Sequence, residues 1–149
     1  MTNYNNIPIW VPFAVIILLL GISAVLSISS GWNRLSKRFP NKEITDYKKY
    51  SFVGMSLGSG LFPTAYGGGV SVRLAPQGFG LSPIILLRLL HPPMFIPWSE
   101  VSSCVRDEVL LFRVTKLSVR NDDNIFTFYG KLGEAINIAF TSYKQKQEA

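Results

Sequence analysis

The chain has 149 residues, 48% hydrophobic and 16% charged, with a net charge of +6. Its single cysteine, Cys104, excludes an intrachain disulfide and suits a reducing compartment. With one histidine, His91, it is also too few N/S ligands for a closed zinc site within one chain. The excess charge does not point to nucleic acid, because the basic run lacks the interleaved aromatics that stack on bases.

Residues 1–33 read as an N-terminal tail and a transmembrane helix. Ile7 to Ile28 carries no charge, and the first ionised side chain is Arg34. At 1.5 Å per residue this run makes roughly 33 Å of helix, against a hydrocarbon core of about 30 Å. Leu18, Leu19 and Leu20 fall at its centre, and Trp10 and Trp32 near its ends, where indoles favour headgroups. Pro8 and Pro12 sit in the first turns, where a missing N–H costs least. A buried core helix would show a polar face, and a cleaved signal peptide a basic start that MTNYNN lacks. Arg34, Lys37, Arg38 and Lys42 follow the helix, and no Lys or Arg precedes it. Positive charge resists translocation, so the N-terminus is expected outside and the C-terminal domain in the cytoplasm, at the inner membrane. Ser23, Ser27 and Gly31 form a ridge of small residues at four-residue spacing. Such ridges allow self-association or docking onto another membrane protein, although small residues are common in membrane helices anyway.

Residues 34–49 read as a basic juxtamembrane linker. Six basic residues against two acidic ones leave +4 between Arg34 and Lys49. Fixing topology is sufficient reason for them, with attraction to anionic lipid, about 1 kcal/mol each, as a by-product. Trp32, Leu35 and Phe39 recur at helical spacing, so the helix can continue along the surface until Pro40-Asn41.

Residues 50–149 read as one strand-rich domain with a C-terminal helix. Val53, Met55 and Leu57 alternate in one strand, and Val70, Val72 and Leu74 in another. Between them lies a Gly-rich loop with exposed apolar candidates Leu61, Phe62 and Tyr66. Pro76-Gln77-Gly78 is a turn, and Phe79 to Leu81 opens the next strand. The apolar run Ile84 to Leu90 is too short to span and holds Arg88. It reads either as part of a buried strand pair turned at His91-Pro92-Pro93 or as a loop dipping into the bilayer surface. Buried strands of this length are common in cores, which favours the first. Val101 to Arg106 and Val109 to Val119 read as strands around Asp107-Glu108, with a bulge or turn near Thr115-Lys116. Asn121 to Asn124 is a turn, and Ile125 to Tyr129 the last strand. Leu132, Ile136, Ala139, Phe140 and Tyr143 line one face of a final helix.

This order of strands closed by one amphipathic helix resembles a pleckstrin-homology-like barrel over roughly residues 50–145. The exit Gly31-Trp32-Asn33-Arg34-Leu35 and the segment His91 to Glu100 (HPPMFIPWSE) are similar to those of small bacterial single-pass membrane proteins with such a GRAM-like domain. That resemblance implies a mainly-β antiparallel barrel plugged by the C-terminal helix, tethered to the membrane, and brings no activity with it. Lipid-binding pleckstrin-homology domains use a basic first hairpin. Here Ser71-Val72-Arg73 keeps one basic residue and the loop is apolar, a departure that weighs against phosphoinositide recognition.

The catalytic signatures are weak. His91 precedes two prolines and is more simply a turn residue than the partner of a Cys104 nucleophile. Gly58-Ser59-Gly60 and Gly67-Gly68-Gly69 lack the Lys and the helix of a phosphate loop. Asp107-Glu108 and Asp122-Asp123 read as solvated turn carboxylates. Trp98 reads either as packing in the barrel mouth, with Glu100 holding Arg88 or Arg73, or as a strand end fixed by local packing, which is the preferred expectation. The leading expectation is a non-catalytic, membrane-anchored interaction module without cofactor, with Leu61, Phe62, Tyr66, Trp98 and Glu100 as its surface. Its partner is another membrane protein or the bilayer itself. Lipid or small-ligand binding is the alternative, and a membrane-associated enzyme a more distant one.

Overall fold

The computed structural model describes residues 8–59, 63–85 and 87–149. Helix α1 spans Trp10–Ser29. Leu, Ile and Val dominate it, and Pro12 falls in its first turn. Among the described residues it is the one helix long and apolar enough to cross a membrane, judged by length and composition. Its apolar side chains are mostly exposed, with Trp10 63%, Leu18 62% and Ile28 76% accessible. Gly31 (φ +72) breaks the helix. A Cβ at Gly31 would also press on the Asn124 side-chain amide, which would have to shift, while the left-handed backbone itself favours glycine.

Helix α2, Trp32–Arg38, follows the elbow and ends before Pro40, as the helical spacing predicts. Its apolar face does not lie free. Trp32, Leu35 and Phe39 are buried in the main hydrophobic core.

The strands build two antiparallel sheets. The first holds β1 (Lys48–Val53), β4 (Val70–Ala75), β5 (Gly78–Pro83) and β6 (Met94–Pro97), in the order β1-β4-β5-β6. The second holds β2 (Met55–Gly58), β3 (Thr64–Ala65), β7 (Val101–Val109), β8 (Phe112–Val119) and β9 (Ile125–Tyr129), in the order β3-β2-β9-β8-β7. The expected single closed barrel is therefore not what these strands form: their hydrogen bonds close into two sheets. Helix α3, Gly130–Glu148, packs chiefly on β8. Gly133 permits that approach, because a Cβ there would lie 3.0 and 3.2 Å from Thr115 Oγ1 and N of β8 and 2.7 Å from the Phe128 carbonyl oxygen of β9.

Aromatic side chains join the two sheets. Phe79 of β5 meets Phe126 and Phe128 of β9 at ring-centroid distances of 6.0 and 5.8 Å, both edge-on. Trp98 stands 5.4 Å from Phe79 and 5.9 Å from Phe140 of α3. Leu132 and Ile136 of α3 complete this core, as their spacing predicts.

Four strand expectations need correction. Residues 51–57 are not one strand: the chain leaves the first sheet at Val53 and enters the second at Met55. A bulge sets two residues of β1 against Ser71 and puts Phe52 at φ 54, which turns the chain between sheets. Residues 85 and 87–90 are turns rather than a buried strand, with Ile85 82% and Leu89 77% exposed; β6 begins only at Met94. Strand β7 runs through Asp107-Glu108, and the hairpin turns at Leu110-Leu111. The irregularity in this hairpin lies in β7, between Val101 and Ser103, and β8 is continuous at Thr115-Lys116.

Candidate functional site

The side chains that combine in the most specific way lie where α1 meets the domain. Ser23, Ser27 and Ser30 fall on one side of the helix end and are buried there. An apolar helix offers its serine hydroxyls few partners besides its own carbonyls. Here they reach across. The Ser23 hydroxyl lies 3.3 Å from His91 Nδ1. Ser27 donates to the Leu90 carbonyl at 2.5 Å, and the Ser30 and Tyr66 hydroxyls share a hydrogen bond of 2.6 Å. Trp32 Nε1 donates to the Pro92 carbonyl at 2.9 Å. The ridge of small residues is thus covered by the chain's own segment around Leu90–Pro92.

Three rings fill the corner behind these bonds. Trp32 lies 5.1 Å from Tyr66 and 5.5 Å from His91, and Tyr66 stands edge-on to His91 at 5.5 Å. Burial pushes the Tyr66 hydroxyl up to about 12, against the Ser30 hydrogen bond that lowers it. Burial holds His91 below its usual value, opposed by the Leu87 backbone. The imidazole is fully buried and its Nε2 has no hydrogen-bond partner among the described residues.

The turns before His91 carry their own hydrogen bonds. The Ile84 N–H donates to Gly69, Leu87 to Ile84, Arg88 to Ile85, and both Leu90 and His91 to Leu87. Arg88 Nε donates to the Pro83 carbonyl at 3.1 Å.

The basic residues in and just after α2 divide into two kinds. Arg34 Nη2 reaches both Asp122 oxygens, at 3.1 and 3.0 Å. Arg38 donates to Glu100 at 2.8 Å and to the Arg120 carbonyl at 2.6 Å. Both therefore staple α2 to the second sheet. Lys37 and Lys42 are exposed. Glu100 holds Arg38, which corrects the expectation of Arg88 or Arg73. Arg73 instead meets Asn41.

The remaining predicted surface residues scatter. Trp98 is 1% exposed and donates through Nε1 to the Ala75 carbonyl at 3.2 Å. Tyr66 is buried, and Trp32 lies in the core rather than at an open interface. Leu61 and Phe62 fall outside the described residues. His91 and Cys104 have separate surroundings: the Cys104 thiol accepts from Asn137 Nδ2 at 3.6 Å, and burial pushes it up. Among the described residues, no group of three His, Cys, Asp or Glu could hold a metal.

One exposed feature escaped the sequence reading. The β7–β8 hairpin ends in Val109-Leu110-Leu111-Phe112, with Leu110 87% and Leu111 99% exposed. Both leucines hold left-handed backbone, φ 49 and 71, where a two-residue turn normally places Asn-Gly. Two adjacent leucines without a turn residue were the only signal available. Beside this tip, an open groove of about 470 Å³ is lined by Arg106, Glu108, Arg113 and Glu134.

No protein-family model matches the chain, and no curated protein matches it.

Proposed function

We propose that the protein is a single-pass inner-membrane protein whose cytoplasmic, pleckstrin-homology-like domain serves as a non-catalytic interaction module. The observation that carries this reading is the packed junction of α1 with the domain. A tether needs only length, whereas Ser23, Ser27, Ser30 and Trp32 bind the domain in a defined pose. A fixed pose is useful to a protein that presents a surface at a set height above a membrane. The Lys and Arg residues that follow α1 support a cytoplasmic domain. Two sheets with a C-terminal helix on one of them support the pleckstrin-homology-like reading.

The surface presented is the Val109–Phe112 tip. Strained backbone under fully exposed leucines costs stability, and such features persist where function holds them. From Val119, near α2, to the tip at Phe112 the strand covers about 23 Å. The partner that suits such an apolar tip is the cytoplasmic part of another membrane protein.

A photo-reactive residue in place of Leu111 tests this in native membranes. Carbonate washing should leave the protein in the pellet, and illumination should join it to one discrete protein. Release by the wash, or recovery of uncrosslinked chain only, would overturn the reading.

A further inference from the structure

The segment between β5 and β6 has apolar side chains turned outward beside an apolar helix. Ile84, Ile85 and Leu89 are 37%, 82% and 77% exposed. On a surface facing water this is an unfavourable arrangement. We propose that this segment is immersed in the acyl-chain region of the same leaflet that the end of α1 crosses, so that the domain enters the membrane beside its anchor. The proposal rests on the spanning role of α1.

Depth is set by the two serine contacts. Ser27 and Ser23 lie two and six residues before the last residue of α1, Ser29. Along a helix axis that is roughly 3 and 9 Å inside its C-terminal end. Their partners are the Leu90 carbonyl and the His91 ring. If α1 spans, the segment is fastened at that same depth.

The backbone is prepared for such a place. Irregular chain survives in hydrocarbon only when its polar groups are satisfied internally. Within the segment, the N–H groups of Ile84, Leu87, Arg88, Leu90 and His91 are bonded to carbonyls of the chain. Pro83, Pro92 and Pro93 have no N–H to satisfy. The Leu90 and Pro92 carbonyls receive Ser27 and Trp32, and the Pro83 carbonyl receives Arg88.

Charge fits a shallow position. Arg88 is exposed within the segment, and its long stem lets the guanidinium reach headgroup phosphates while the neighbouring apolar side chains stay below. Phe52, 76% exposed, borders the same end of the first sheet, because Val53 pairs with Val70 and Val70 with Pro83. It extends the apolar rim.

The test uses the full chain in vesicles of phosphatidylethanolamine and phosphatidylglycerol, with Cys104→Ala as background. Spin labels are placed singly through Val25→Cys, Ile85→Cys, Leu89→Cys and Leu111→Cys. Their accessibility to oxygen and to a water-soluble nickel chelate gives depth. Labels at 85 and 89 should favour oxygen, as the label at 25 does, and the label at 111 should favour nickel. Labels at 85 and 89 that favour nickel, with 25 still in lipid, would overturn immersion and leave the span intact. A label at 25 that favours nickel would remove the span itself, and the immersion with it.

Discussion

The hydroxyl of Ser27, two residues from the end of α1, donates to the carbonyl of Leu90 at 2.5 Å. This bond joins residues 63 apart in sequence. It makes the apolar helix and the β-domain one packed unit, in which helix side chains complete the domain's backbone hydrogen bonding.

Ser27→Ala leaves the Leu90 carbonyl without that donor in a mostly apolar setting. The expected loss is about 1–3 kcal/mol of stability. Thermal unfolding of the full chain in detergent, followed by tryptophan fluorescence, measures it. Ser27→Leu should cost more, since it also forces the covering segment away. A Ser27→Ala protein as stable as the parent would remove the bond from the account.

Trp98 and Trp32 should behave differently under conservative change. Trp98→Ala empties the space between Phe79 and Phe140 and should cost about 3–5 kcal/mol. Trp32→Phe keeps a ring against Tyr66 and His91 but loses the bond to Pro92, so a smaller loss of about 1 kcal/mol follows. Equal losses from the two changes would mean that Trp32 is placed differently.

The hairpin tip offers the opposite sign. Left-handed backbone costs an ordinary residue about 1–2 kcal/mol. Leu110→Asn combined with Leu111→Gly suits the observed φ of 49 and 71 and should raise stability by about 1–3 kcal/mol. The same exchange removes the apolar contact surface, so a photo-reactive residue at Phe112 should then capture nothing. Stability that falls instead would show that the turn is not strained as described.

Stability should also depend on pH through His91. Burial places its folded pKa below the usual 6.5. Above about pH 6.5 the ring is neutral in both states and the protein keeps its full stability. As pH falls below that value, the unfolded chain takes up a proton that the folded one refuses, and stability declines until the folded pKa is reached. The slope from this group is at most about 1.4 kcal/mol per pH unit. Unfolding midpoints between pH 7.5 and 5 should fall for the parent and fall less for His91→Gln. Parallel pH profiles would mean that His91 does not titrate in this way.

Periodic features were legible in the sequence, and contacts between distant segments were not. The uncharged run of α1, the Leu132-Ile136-Phe140 face of α3 and the Asn121–Asn124 turn all announce themselves through spacing or turn chemistry. The two-sheet architecture was hidden because Val53, Met55 and Leu57 alternate as if in one strand, while a bulge at Phe52 turns the chain from one sheet to the other. The Leu110-Leu111 turn was hidden because leucine has no preference for left-handed backbone, so the carboxylates just before it looked like the turn. Ile84 to Leu90 is apolar in composition, and composition does not distinguish a run packed inward from one laid beside an apolar helix. Trp32 illustrates the same ambiguity, since an indole at the end of an apolar helix suits a headgroup layer and a protein core equally well. Ser23 and Ser27 were readable as a ridge, but their partners lie more than sixty residues away.

The union of helix and domain is tested most directly by hydrogen exchange on the full chain in lipid nanodiscs. Amides of residues 87–91 should be protected as strongly as those of β4 and β5, and Ser23→Leu with Ser27→Leu should release them while the sheets stay protected. Rapid exchange of residues 87–91 in the parent protein, with both sheets intact, would contradict the docked junction.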